Sequence, residues 1–198
     1  MTQNVILASG SASRRALLAG AGIEAAAIKP HVDEDAAKTA MRGDGVTVQD
    51  QAMHLAELKA VKVSRSHSGL VIGGDQMLNL DGVALDKPVD MEAAANHLRA
   101  LSGRPHRLET AIVVAENGTP VWRHLARPEL TMRVLSDGFI TDYLGDCGEP
   151  LLATVGAYQL EGRGAQLFTR IDGDYFSILG LPLLPLLDYL RTRGVLAS

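Results

Sequence analysis

The sequence predicts an α/β fold: a mixed, twisted central sheet flanked by helices, arranged as two lobes with a cleft between them, in one domain over residues 1–198. Three observations predict it. Short apolar runs such as Val5 to Ser9 and Leu70 to Gly74 read as buried strands. Strands alternate with helical patterns in the first half and pair as hairpins in the second, with turn signals at Asp81-Gly82 and Asn117-Gly118. Hydrophobic residues make up 46% of the 198, enough for a sizeable core, and no linker-like break or repeat interrupts them.

Taken in order, Val5 to Ser9 leads through the hydroxyl-rich turn Gly10-Ser11-Ala12-Ser13 into the helical RRALLAGAG, which Gly20 and Gly22 end. Ile23 to Ile28 is strand-like. The polar stretch from Lys29 to Val46 reads as a loop with short helical pieces. Val48 to Ser64 is helical, with Ala52, Leu55, Ala56 and Lys59 on one face. A lysine there either snorkels or points into a cleft. Leu70 to Gly74 forms a strand ending at Asp75, and MLNL leads into the first hairpin. Asp90 caps a helix to Leu101, and Ser136 caps one through Leu144. LETAIVVAE and VWRHLARPELTMRV are antiparallel strands. A final helix runs from about Pro182 to Arg193, with proline suited to its first turn.

Composition excludes several function classes. A formal net charge of −4 provides no global basic field for nucleic acid or an acidic membrane, so neither is an expected partner. Cys147 is the one cysteine, which excludes an intramolecular disulfide framework and suits a reducing compartment. Met1-Thr2-Gln3-Asn4 lacks the basic start of a secretory signal. The greasy run from Ile178 to Leu190 is broken by Gly180, Pro182, Pro185 and Asp188 and does not suit a bilayer. A cytoplasmic protein is expected.

Two constellations carry chemistry. Ser9-Gly10-Ser11-Ala12-Ser13-Arg14-Arg15 gathers hydroxyls and guanidiniums where a strand enters a helix, which suits a phosphate group. A serine-capped helix with surface arginines is the plainer reading. The spacing is neither G-x-x-x-x-G-K-S/T nor G-x-G-x-x-G. Asp75, behind Gly73-Gly74, places a carboxylate where two glycines let a ligand come close, as a base or metal ligand, or else as a turn aspartate. Lys59 and Lys87, the latter pinned before Pro88, are candidate anion contacts or solvated lysines. Asp33-Glu34-Asp35 is a solvated acidic run or a Mg²⁺ contact. His106 reads as a loop histidine, and neither H-E-x-x-H nor G-x-S-x-G occurs.

In this order the segments LASGSASRRALL, LAELKA, GGDQ, DKP, LSGRPHRLETA, VGAYQLEGRGAQLF and GDYFSILGLPL resemble the Maf family of nucleoside triphosphate pyrophosphatases, also called septum-formation proteins. The resemblance spans nearly the whole chain. It implies a Maf/ITPase-like fold and release of pyrophosphate from a nucleoside triphosphate. By position it implies Asp75 as catalytic base and Ser9, Arg14, Arg15, Lys59 and Lys87 as triphosphate contacts. It further implies a divalent cation, Mg²⁺ or Mn²⁺, on Glu34 and Asp75, and a homodimer. Asp75-Gln76, Glu161 and the Ser-x-Ser-x-x-Arg-Arg spacing are similar to the branch acting on 7-methyl-GTP, and Glu161 is the candidate base contact. The dTTP- and UTP-preferring branch has Asp-Thr and glutamine at the Asp75-Gln76 and Glu161 positions, so the base stays open.

Two alternatives stand beside hydrolysis. LASGSASRR superficially resembles the N-terminal loop of nucleotidyltransferases, although that loop has more glycines. A nucleotide-binding regulator of cell division would use the same residues to bind without rapid turnover.

Overall fold

The computed structural model describes residues 4–197. Met1 to Gln3, part of the start read above as lacking a secretory signal, lie outside the described residues. In chain order the elements are β1 (Val5–Ala8), α1 (Ala12–Gly20), β2 (Ala25–Ala27), α2 (Glu34–Gly43), α3 (Val48–Ser64), β3 (Leu70–Leu80), β4 (Val83–Leu85) and α4 (Met91–Leu101). They continue with β5 (Pro105–Glu116), β6 (Thr119–Ala126), β7 (Glu129–Met132), α5 (Asp137–Cys147), β8 (Phe168–Asp172), α6 (Tyr175–Ile178) and α7 (Leu183–Thr192). Three 3-10 turns lie between α5 and β8.

The strands form a mixed sheet in the order β2-β1-β3-β5-β7-β8, with β4 on β3 and β6 on β5. β1 is parallel to β2 and β3, whereas the β3–β4, β5–β6, β5–β7 and β7–β8 pairs are antiparallel. The mixed sheet flanked by helices expected from sequence is therefore observed. By contacts the chain divides into two compact units, through both of which β3 and β5 run.

The first unit takes residues up to Gln76, Thr110–Ala126 and Asp174 onward. Its core explains why β1 and the start of β3 are apolar at every position. Val5, Leu7, Leu70 and Ile72 pack with Leu18 of α1 and Leu183, Leu186 and Leu190 of α7. Ile6, Ala8 and Val71 face the other way, with Val63 of α3. A parallel pair covered on both faces needs this continuous run, since polar alternation would bury unpaired groups.

The second unit takes Met77–Glu109 and Arg127–Gly173. Its α4 is capped by Asp90, whose carboxylate accepts from the Ala93 amide at 2.7 Å. Its α5 is capped by Ser136, which accepts from Phe139 at 3.2 Å. Both caps are the expected ones.

Four expectations change. The stretch from Lys29 to Val46 contains a ten-residue helix, α2, rather than short pieces. Asp33 caps it, Glu34 and Asp35 lie in its first turn and Arg42 in its last, a charge order that suits the helix dipole. β3 does not end at Asp75 but continues to Leu80, because Met77, Leu78 and Leu80 are buried in turn. VWRHLARPELTMRV is two strands that part at Arg127-Pro128, where Pro128 has no N–H to give a ladder and its carbonyl accepts from Leu108 at 3.0 Å. β8, unexpected, pairs with β7. No described helix is long and apolar enough to cross a membrane, and Ile178 to Leu190 is split between α6 and α7.

Candidate active site

β1 ends at Ala8, Ser9 follows it, and the chain turns into α1 through Ser11, whose hydroxyl accepts from the Arg14 amide at 3.3 Å. Such a cap stabilises a helix start by about 1 kcal/mol. Here it also fixes the turn that carries Ser9 and Arg14. Ser9 Oγ accepts from the Ser11 amide and from Arg14 Nη1, both at 3.2 Å. Arg14 Nε donates to the Gly180 carbonyl at 2.7 Å. These bonds use two of the five guanidinium N–H donors. The Arg14 side chain is buried, and its pKa is lowered by desolvation, against which the charges of Asp75 and Glu34 raise it.

Asp75 is also buried, and it meets a cation directly. Lys59 Nζ lies 2.7 Å from Asp75 Oδ1 and 2.9 Å from Glu34 Oε2. The lysine therefore does not snorkel to solvent. It sits on the inner face of α3 beside Leu55, Ala56, Ala60 and Val63. Glu34 reaches it from the first turn of α2, with its side chain 40% exposed, so the acidic run is not wholly a solvated face. Two cations and two carboxylates balance here, a neutral set from four distant segments of the chain.

The glycine pair before Asp75 has a different use from the one its spacing suggests. A Cβ on Gly73 would lie 2.3 Å from the Ala56 carbonyl and 2.6 Å from the Ala60 amide, so α3 rests on bare backbone there. That approach brings Lys59, one turn from Ala56, onto the next residue of the strand. A Cβ on Gly74, on the opposite strand face, would lie 3.1 Å from Arg14 Nε. The pair makes room for a helix and a guanidinium rather than for a ligand.

Three further expected residues are carried by other segments of the chain. Arg15 is exposed and lines a half-open hollow of about 620 Å³ with Leu18 and Ile23. Lys87 and Glu161 belong to the second unit, both exposed, Lys87 before the buried Pro88 and Glu161 within the turns preceding β8. The segment leading to Glu161 is tightly set. A Cβ on Gly156 would lie 2.6 Å from Leu78 Cδ1, and Tyr158 packs edge-on against Phe168 at 4.9 Å between centroids. His106 is not in a loop. It is buried in β5 with Nε2 2.9 Å from the Tyr158 hydroxyl, and desolvation lowers its pKa to about 4.

Sequence reasoning missed Thr110, Ser177 and Gly180. Asp174 was the available signal, since an aspartate three residues before a serine caps a helix start. Its carboxylate accepts from the Ser177 amide at 2.8 Å and from the Ser177 hydroxyl at 2.5 Å.

Among the described residues no three or more His, Cys, Asp or Glu side chains are grouped to hold a metal ion. Asp75 and Glu34 do converge, through Lys59. Two carboxylates are what Mg²⁺ takes from protein when phosphate oxygens complete its shell. These two carboxylates, both bound by Lys59, are the donors such an ion would use.

A family model described as Maf-like protein matches residues 4–193. A protein of Hyphomonas neptunium named nucleoside triphosphate pyrophosphatase is 66% identical over 198 residues, 100% of both chains. One of Rhodospirillum rubrum with the same name is 53% identical over 98% of this chain and 96% of its own. A protein of Mesorhizobium japonicum named 7-methyl-GTP pyrophosphatase is 50% identical over 99% of each.

Proposed function

The chain belongs to the Maf-like protein family, and from that premise we propose that it hydrolyses a nucleoside triphosphate to the monophosphate and pyrophosphate, with Asp75 as the base. What carries the reading is one observation. A buried carboxylate is held by Lys59 within the electrostatic reach of a buried arginine that retains unused donors. That is a base beside an anion contact.

In this mechanism Asp75 accepts a proton from water as the water oxygen bonds to the α-phosphorus. The bond from the α-phosphorus to the α,β-bridging oxygen breaks, and pyrophosphate leaves with the electron pair. Lys59 holds one carboxylate oxygen, leaving Oδ2 to face the water. Arg14, Ser9 and Lys59 stabilise the charge that develops on the leaving group. Glu34 and Asp75 would hold Mg²⁺ or Mn²⁺, which when bound there neutralises phosphate oxygens. Arg15, Lys87 and Glu161 are assigned by their positions in the family's motifs, the first two to the triphosphate and Glu161 to the base. A carboxylate accepts from the N1–H and N2–H₂ edge of guanine, which favours a guanine nucleotide, 7-methyl-GTP included. The reading takes residues 1–198 as one functional domain in the cytoplasm, acting as a homodimer.

The test is pyrophosphate release from a panel of normal and modified nucleoside triphosphates, each with Mg²⁺ or Mn²⁺ and no second substrate. Turnover without an acceptor separates hydrolysis from nucleotidyl transfer. Asp75→Asn is expected to fold and lose turnover; near wild-type rates in that variant would remove Asp75 as the base.

A further inference from the structure

The residue after Asp75 has a role that hydrolysis alone does not assign. Gln76 Nε2 lies 2.8 Å from Thr110 Oγ1, 3.0 Å from the Ser177 carbonyl and 3.1 Å from the Ile178 carbonyl. The Thr110 hydroxyl gives its proton to the same Ser177 carbonyl at 3.0 Å, so toward Gln76 it accepts. All three partners are acceptors. The amide orientation is therefore settled by chemistry, nitrogen inward, and a flip would set oxygen against three oxygens.

The same short run of backbone holds Arg14. Ser177 is fully buried and fixed by the Asp174 carboxylate at both its amide and its hydroxyl. Three residues later the Gly180 carbonyl takes the Arg14 Nε proton. Gly180 has φ +99°, a left-handed conformation that a side chain would strain, and its Cα faces the guanidinium, with a built Cβ 3.6 Å from Arg14 Nε. Residues 177–180 thus grip two sequence-distant parts of the site.

We propose that Gln76, seated on Thr110 and the Ser177–Gly180 backbone, is a positioning residue that holds the strand carrying Asp75 and the Arg14 guanidinium in one rigid frame. The proposal rests on the hydrolytic reading above for its effect on rate, and on geometry alone for its effect on Arg14. Side chains 74 and 76 leave β3 on the face opposite Asp75, so Gln76 acts on Asp75 through the strand backbone and touches no reacting atom. A misplacement of about 1 Å in such a frame costs on the order of a hundredfold in rate.

The experiment compares Thr110→Val, which keeps the volume and deletes the hydroxyl, with Thr110→Ser, which keeps the hydroxyl, and with Gln76→Met at the half-buried partner. Pyrophosphate release gives kcat and KM, the Arg14 Nε–H resonance is followed by NMR, and thermal midpoints are recorded. Thr110→Val and Gln76→Met are expected to lower kcat by about 10- to 100-fold. They should also shift the Arg14 resonance and speed its solvent exchange, and Thr110→Ser should restore both. A wild-type kcat with an unmoved Arg14 resonance overturns the proposal, as does equal damage in Thr110→Ser. Where wild-type protein releases no pyrophosphate, the hydrolytic reading fails and the Arg14 resonance alone decides the positioning.

Discussion

Lys59 donates to Asp75 at 2.7 Å from the buried face of α3, and the same ammonium meets Glu34 at 2.9 Å. One lysine therefore neutralises a carboxylate inside the protein and ties it to another at the surface. Removing the lysine strands the inner charge. Lys59→Met is expected to lose about 3 kcal/mol in urea denaturation, the scale for breaking a buried ion pair. The double variant Lys59→Met/Asp75→Asn should recover most of that loss while releasing no pyrophosphate. A double variant as unstable as the single one would show that the damage lies in packing.

Gly73 and Gly74 should respond differently to the same added methyl. Gly73→Ala sets a carbon against α3 backbone at 2.3 Å, so the helix must retreat and Lys59 with it. A loss of about 2–3 kcal/mol in stability is expected, with a matching fall in kcat. Gly74→Ala meets the Arg14 side chain first, at 3.1 Å. Its effect should fall chiefly on KM for the triphosphate, with a smaller stability change. Equal effects at both positions would count against the two-faced use of the pair.

His106 gives stability a pH dependence whose sign is fixed. Its folded pKa of about 4 lies below the ordinary 6.5, chiefly because burial penalises the charged ring. Between those values the unfolded chain binds a proton that the folded one does not, so stability falls as pH drops from 6.5 toward 4. The contribution, present in full above pH 6.5, amounts to roughly 3 kcal/mol. Denaturation midpoints between pH 4.5 and 7.5 should show this slope in the wild type and lose it in His106→Asn.

Glu161→Gln tests the base contact proposed for Glu161. Glutamine presents one acceptor and one donor where the carboxylate presents two acceptors, so one bond to the guanine edge is replaced by a donor facing a donor. The preference for guanine nucleotides over pyrimidine ones, read as a ratio of kcat/KM, is expected to fall about tenfold or more. An unchanged ratio would remove Glu161 from base selection.

Much of the fold was legible because its signals are local. Ser136 bonds an amide three residues away, and Asn117-Gly118 turns a hairpin with φ of 51° and 78°. These features are written within a few adjacent residues. α2 was obscured because no residue of it is buried, so its short apolar face of Ala36, Ala37, Ala40 and Met41 sits among charged neighbours that read as a polar loop. β8 was missed for a like reason, as every residue after Phe168 in it is exposed. His106 was misread because a polar residue in a strand looks like the end of a loop until its partner, Tyr158, 52 residues away, is seen beside it.

By itself the sequence determined most of the order of elements, the caps at Asp90 and Ser136, the hairpin turns, and which residue types could meet a phosphate. Only the tertiary structure decided that Lys59 belongs to Asp75 and Glu34, and that Gly73 and Gly74 serve protein rather than ligand. It alone showed that residues 177–180 hold Arg14 and Gln76 together. The reason is physical: a charge or carbonyl finds its partner through the closeness of two packed surfaces, and the approach of α3 to the bare backbone at Gly73 is a distance in space that no spacing along the chain encodes.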